Sequence, residues 1–263
     1  MTVVKQTPSV NYSTHVQDIG WQGYVKDGST AGTTGQSKRL EAIRIKLSNN
    51  TSYKGTIQYQ THIQDIGWQG WKMNDEMSGT SGQSKRLEAI RIKLTDELAE
   101  NYDIYYRVHA QEFGWLGWAK NGESAGTAGY SYRLEAIEVK LVEKGGKAPG
   151  STQDAYRQRY VSYQTHVQDI GWQGIKYDGE EAGTSGQSKR LEAIRIKLTG
   201  EMAKQYDIYY RVHSQEFGWL GWAKNGESAG TEGYSYRLEA IQIQLVKKGS
   251  SAPGSTSNCF YKR

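Results

Sequence analysis

The sequence predicts an all-β protein of five tandem repeats, and three observations carry that prediction. A phrase first met as His15-Val16-Gln17-Asp18-Ile19-Gly20-Trp21 returns at His62, His109, His166 and His213. Its tryptophans, Trp21, Trp68, Trp115, Trp172 and Trp219, are spaced 47, 47, 57 and 47 residues apart. A fixed period in this range marks a repeat architecture. A second phrase, Arg-Leu-Glu-Ala-Ile, follows in every copy at Arg39, Arg86, Arg133, Arg190 and Arg237. Between and around the phrases the apolar period is two, broken by turn dipeptides, which is the signature of short strands.

Residues 1–8 read as a disordered lead-in ending in Pro8, with no apolar stretch of signal-peptide type. Residues 10–17 alternate as a half-buried strand. Tyr12, Thr14 and Val16 share one face, and Ser13, His15 and Gln17 share the other. The Tyr/Val face is the expected core face. Gly20 ends this strand, and residues 21–26 form a second. Asp27-Gly28 is a type I′ hairpin signal that recurs as Asn121-Gly122, Asp178-Gly179 and Asn225-Gly226, with Asn74-Asp75 in the second copy. The glycine-punctuated residues 31–35 have room for a short third strand. The last strand, residues 39–47, sets Ile43, Ile45 and Leu47 on one side and Arg44 and Lys46 on the other. Parity puts Arg39 and Glu41 with the isoleucines, which requires either a bulge at Ala42 or a buried Arg-Glu pair. Residues 95–101 and 199–205 each suit a single helical turn between copies.

The copies are of two kinds. Copies 1, 2 and 4 read Gln-Asp-Ile-Gly-Trp-Gln-Gly, whereas copies 3 and 5 read Gln-Glu-Phe-Gly-Trp-Leu-Gly-Trp and are followed by Ala-Pro-Gly-Ser-Thr. The expected organisation is repeats 1–3 over 9–141, a Gly/Pro-containing linker at 142–158, repeats 4–5 over 159–245 and a tail at 246–263. A propeller-like ring of all five is preferred, because the apolar face of every copy requires a neighbour. The alternative is a threefold β-prism or β-trefoil, which suits copies 1–3 and leaves copies 4 and 5 one short.

Composition narrows the function classes. The net charge of +5 is modest and dispersed, without the concentrated patch that nucleic acid demands. No apolar run approaches the length of a membrane span, and the mean hydropathy is −0.76. The single cysteine, Cys259, reads as a tail thiol, so the fold rests on packing. Tyrosine (19) far outnumbers phenylalanine (3), which suits surfaces apolar at one end and wet at the other.

The pattern Tyr12, His15, Gln17, Gly20, Trp21, then Gly32, Thr33 and Gly35, then residues 39–43, resembles the clostridial hydrophobic repeat with a conserved tryptophan. The likeness recurs through copy 5 and spans most of the chain. It implies a secreted or cell-surface module of a Gram-positive bacterium, in which polysaccharide or cell-surface binding is the usual proposal, and it supplies no ligand residues. The sequence departs from the pattern at Ile175, where copies 2, 3 and 5 have a second tryptophan, and in its uneven count of three plus two.

Candidate ligand-binding residues follow from the phrase itself. The indoles Trp21, Trp68, Trp115, Trp172 and Trp219, with the second aromatic at Tyr24, Trp71, Trp118 and Trp222, are either packing groups or open shelves for a sugar ring. His15/Gln17, His62/Gln64, His109/Gln111, His166/Gln168 and His213/Gln215 either bond sugar hydroxyls or pair with the following Glu. Arg44/Lys46, Arg91/Lys93 and Arg195/Lys197 read as a solvated basic face. One histidine per copy lacks metal-ligand spacing, so no metal and no cofactor are expected. No nucleophile elbow or P-loop is present, and a carboxylate repeated five times is not the pattern of a catalytic acid, so no enzyme is expected. The expected function is non-catalytic, multivalent, lectin-like binding of a glycan or cell-wall polysaccharide. A protein-binding adhesin or a structural spacer are the alternatives; neither nucleic acid nor a membrane span is expected.

Overall fold

A computed structural model describes residues 7–263, and the chain divides into two compact units, residues 1–157 and 158–263. The expected lead-in falls mostly on residues 1–6, outside the described residues. Pro8 is already buried against the first strand. No helix is long and apolar enough to cross a membrane.

Every repeat is built on one antiparallel pair. The opening strands are Ser9–Val16, Ile57–Ile63, Tyr102–Ala110, Val161–Val167 and Tyr206–Ser214. The closing strands are Leu40–Ser48, Leu87–Leu94, Leu134–Glu143, Leu191–Leu198 and Leu238–Lys247. The tight turn between them has the predicted geometry: Asp27 and Gly28 both take positive φ, as do Asn74 and Asp75. The Asp27 carboxylate also accepts the Val10 N–H at 2.9 Å, tying the turn to the opening strand. Short helices Asp96–Asn101 and Gly200–Gln205 join repeat 2 to 3 and repeat 4 to 5.

The parity conflict at Glu41 is resolved by both expected devices together. His15 pairs with Ala42 and Val16 with Leu40, so Glu41 is an extra, bulged residue. The bulge lets Leu40 and Ile43 both face the core while Glu41 turns to the histidine side and pairs with Arg39 at 2.7 Å.

Between these long strands lies a short exchange strand that pairs with the preceding repeat rather than its own. Ser78–Gly79 of repeat 2 lies on the closing strand of repeat 1, with Ala42 opposite Gly79. Ala125–Ala128 of repeat 3 lies on repeat 2, with Ala89 opposite Gly126. Ala31–Gly32 of repeat 1 lies on repeat 3, with Ala136 opposite Gly32. The exchange therefore closes after three. Three separate sheets surround one core that draws Tyr12, Tyr59 and Tyr106 from the three repeats. The five-membered ring does not form, because repeat 3 pairs back to repeat 1 and closes the cycle there. The threefold alternative holds, in the prism form, since no sheet closes into a barrel.

The second unit repeats one step of this cycle. Ala229–Glu232 of repeat 5 lies on repeat 4, with Ala193 opposite Gly230, over a smaller core. The stretch 142–158, expected as a linker, holds the end of a closing strand and a short strand, Tyr156–Gln158, beside the exchange strand of repeat 3. The tail holds the equivalent Phe260–Lys262, parallel to Ala229–Glu232.

A tyrosine hydroxyl sits at each closed junction. Tyr12 donates to the Ser29 carbonyl of its own turn and accepts the Val139 N–H of repeat 3 at 3.1 Å. Tyr59 donates to Glu76 and accepts the Ile45 N–H of repeat 1 at 3.2 Å. Tyr106 and Tyr210 meet the backbone of Ile92 and Ile196 in the same way. Burial pushes the hydroxyls of Tyr12, Tyr59 and Tyr210 up to about 12. Tyr59→Phe strands the buried Ile45 N–H and removes the donor to the part-buried Glu76 carbonyl, and is expected to lower stability by about 1–3 kcal/mol in urea denaturation. Because the folded value lies above the unfolded one, this stabilisation is complete below pH 10. It is expected to disappear as pH rises from 10 to about 12, followed by circular dichroism.

Candidate functional site

The shared phrase folds into the same chain of contacts in all five repeats. His15 Nδ1 lies 3.2 Å from Glu41, whose other oxygen holds Arg39 at 2.7 Å. The imidazole ring then meets Trp21 edge-on at 5.6 Å, and the Arg44 guanidinium covers the indole at 4.5 Å. The histidine contacts recur from His62–Glu88 to His213–Glu239, all at 3.1 Å, and each histidine meets its tryptophan at 5.4–5.6 Å. His15, His62, His109, His166 and His213 are thus engaged by glutamate and tryptophan, and the tryptophan face is taken by arginine. Gln17, Gln64, Gln111, Gln168 and Gln215 fall one residue past the opening strands, in the turn, and not on the strand face beside the histidine. Gln111 accepts from Arg133 at 2.9 Å and Gln215 from Arg237 at 3.2 Å.

The basic face is not freely solvated. Arg44, Arg91 and Arg195 lie over Trp21, Trp68 and Trp172 at 4.5, 4.1 and 3.8 Å, and Lys46 and Lys93 cover Tyr24 and Trp71. In repeats 3 and 5 the closing strand carries Glu138 and Gln242 at this register, and the arginine moves to the facing residue of the opening strand. Arg107 pairs with Glu138, and Arg211 with Gln242. That exchange across the ladder was readable in the sequence, where loss of Arg from one strand coincides with its gain on the other.

The move has a geometric consequence. Arg107 reaches two indoles, Trp115 at 4.7 Å and Trp118 at 5.0 Å, and Arg211 reaches Trp219 and Trp222 at 4.9 and 5.0 Å. The second aromatic therefore has two fates. Tyr24, Trp71 and Ile175 stay exposed, whereas Trp118 and Trp222 are 5% and 7% exposed. The segments after repeats 3 and 5 cover them as straps: Trp118 N–H donates to Ser151 at 2.8 Å and Trp222 N–H to Ser255 at 2.9 Å. As open shelves, Trp118 and Trp222 are corrected to cleft floors.

Each strap is pinned at its start by a buried aspartate. Asp103 receives Asn121 at 2.7 Å, Lys120 at 2.9 Å, Lys144 at 3.2 Å and the Gly145 N–H at 3.1 Å. Burial alone would push its carboxyl up, but these four bonds outweigh it and hold Asp103 well below the usual carboxylate range. Asp207 is held down likewise, by Lys248 first and then Asn225, Gly249 and Lys224.

Between strap and Gly-Trp phrase lie two equivalent clefts, one in each unit. The first, about 330 Å³, is lined by Arg107, Phe113, Trp115, Trp118, Gln153 and Arg157 among others. The second, about 430 Å³, is lined by Arg211, Phe217, Trp219, Trp222, Asn258 and Tyr261. Their outer walls differ. Arg157 lies over Phe113 at 4.7 Å and pairs with Asp154, whereas Tyr261 stacks flat on Phe217 at 4.6 Å. Sequence reading missed Arg107, Arg211 and both straps as site elements.

These features define an all-β repeat protein whose tryptophan phrase makes the same contacts in every copy and borders a strap-walled cleft in two. The family model described as clostridial hydrophobic W matches five times, at residues 15–49, 62–96, 109–143, 166–200 and 213–247, about two thirds of the chain. The chain belongs to the clostridial hydrophobic W family. No curated protein and no solved structure matches it.

Gly117 lets the strap approach, since a Cβ there would lie 2.0 Å from the Gln153 carbonyl oxygen, while Gly70 of repeat 2 has open space. Gly117→Ala is expected to lower stability by about 1–3 kcal/mol and red-shift tryptophan emission as Trp118 is uncovered, with Gly70→Ala near neutral. The aspartate clamp gives an acid limb. With the folded value depressed, its stabilisation is complete above the unfolded carboxyl's 3.8 and is lost as pH falls below it. Asp103→Asn is expected to flatten that limb in denaturation midpoints measured from pH 5 to 2.

Proposed function

We propose that this protein is a non-catalytic, multivalent, lectin-like module of a secreted or cell-surface protein that binds glycan. The observation that carries the reading is the duplicated cleft at the ends of repeats 3 and 5. Each has a volume in the range of small-ligand sites, walls of indole and phenyl, and one arginine laid across both tryptophans. The apolar C–H face of a pyranose suits such a wall. Arg107 and Arg211 commit Nε to Glu138 and Gln242 at 2.7 Å, and their remaining N–H groups supply donors for hydroxyl or carboxylate oxygens of the sugar. Two modest sites on one chain raise avidity by linkage rather than by new contacts.

A protein-binding adhesin is the second reading. It rests on Ile19, Ile66 and Ile170, each about half exposed at the same turn of repeats 1, 2 and 4.

A glycan array including bacterial wall polymers tests the proposal on folded protein. The expected result is a selective hit that quenches tryptophan fluorescence and is competed by free glycan. Arg107→Ala and Arg211→Ala should each weaken binding to the immobilised glycan, and the pair together abolish it. A blank array, or binding untouched in the double variant, overturns it in favour of a protein partner.

A further inference from the structure

Repeats 4 and 5 reproduce repeats 2 and 3 of the first unit: the same linking helix, the same exchange pairing and the same strap after the last repeat. What the second unit lacks is a counterpart of repeat 1, and both surfaces that repeat 1 occupies in the first unit stand open. Among the described residues the closing strand of repeat 5 is an edge strand, paired only with Tyr206–Ser214. Its Ile241, Ile243 and Leu245 are 44, 54 and 46% exposed, whereas Ile137 and Val139 at the equivalent places in repeat 3 are at 1% and 0%. Charged, short or bulged edges are the usual defence of a sheet against pairing, and here three apolar residues stand on an open edge.

The other surface is the exchange segment of repeat 4, Ala182-Gly183, which forms no strand. Gly183 keeps φ +119, matching +106 to +124 at Gly32, Gly79, Gly126 and Gly230. At those four glycines a Cβ would strike the carbonyl oxygen of the partner strand at 2.3–2.4 Å. At Gly183 it would meet only Leu191 of its own repeat. The segment holds the shape of a strand exchange whose partner is absent. Tyr163 shows the same half-made junction: its hydroxyl donates to Glu180, as Tyr12 does to Ser29, but no neighbouring repeat offers it an N–H among the described residues.

We propose that this open face is a socket for one further repeat of the same family, supplied from outside these 263 residues. The pairing in the second unit matches residue for residue the pairing that closes after three in the first, so the gap is one repeat wide. A guest repeat would lay its Ala-Gly strand against Ala240 and Ile241, as Ala31–Gly32 lies against Ala136 and Ile137. Its tyrosine would accept the Ile243 N–H, as Tyr12 accepts that of Val139. Its closing strand would receive Ala182-Gly183. Repeat 4 follows the strap of the first unit directly, so no repeat precedes it within the second unit. Such complementation adds a strand to an exposed sheet edge.

The test titrates a synthetic peptide of residues 9–48, which is repeat 1, into the full chain, with calorimetry and analytical ultracentrifugation as readouts. One peptide per chain is expected to bind. Ile243→Glu in the full chain should abolish binding, and Tyr12→Phe in the peptide should weaken it about three- to tenfold. No binding, or binding that survives Ile243→Glu, overturns the proposal. So does a full chain that sediments as a dimer and becomes monomeric on Ile243→Glu, since a second copy then covers the face.

Discussion

The architecture depends on a tyrosine hydroxyl that works in two directions at once. It donates to a carbonyl of its own turn and accepts an N–H from the closing strand of the neighbouring repeat, so that buried N–H is not left unpaired in the core. Its ring fills the centre beneath the sheets, where Tyr12, Tyr59 and Tyr106 are fully buried. Around it the glycine of the exchange strand lets two backbones meet where any side chain would collide. Tyrosine, glycine and the bulged glutamate together fix which repeat pairs with which. A chain of nearly identical repeats needs such registration more than it needs additional apolar area, because every copy offers the same greasy face to every other.

Placing the arginine on one strand or the other then divides the repeats into two kinds. On the closing strand it caps one indole and leaves the second aromatic at the surface under a lysine. On the opening strand it bridges two indoles, and a strap anchored by a buried aspartate covers the second. The same scaffold thereby carries a strap-walled cleft in repeats 3 and 5. The two clefts lie where the repeat pattern is broken.

Much of this was legible in the residues. The period, the I′ turns at Asp27-Gly28 and its counterparts, the core face bearing Tyr12 and Val16, and the helical turns near residues 96–101 and 200–205 all follow from local pattern. The strain at Glu41 announced itself as a parity conflict. What local pattern does not contain is the partner of each exchange strand. Ala31–Gly32 reads as a hairpin fragment of its own repeat, and nothing within 47 residues says that it belongs to repeat 3. The preference for a five-membered ring came from the correct premise that every apolar face requires a cover. The second unit departs from that premise, leaving Ile243 exposed. The histidine and tryptophan recur in the sequence, and in every repeat they make the same contacts with glutamate and arginine, which local pattern alone does not reveal.

Residue-resolved amide hydrogen exchange tests the central claim most directly. The N–H groups of Ile45, Ile92, Val139 and Ile196 each face a junction tyrosine, and that of Ile243 occupies the same place with no such tyrosine among the described residues. Threefold closure by tyrosine predicts strong protection at the first four and rapid exchange at Ile243 in the isolated chain. Equal protection at all five, or fast exchange at Ile45, Ile92 and Val139, would contradict it.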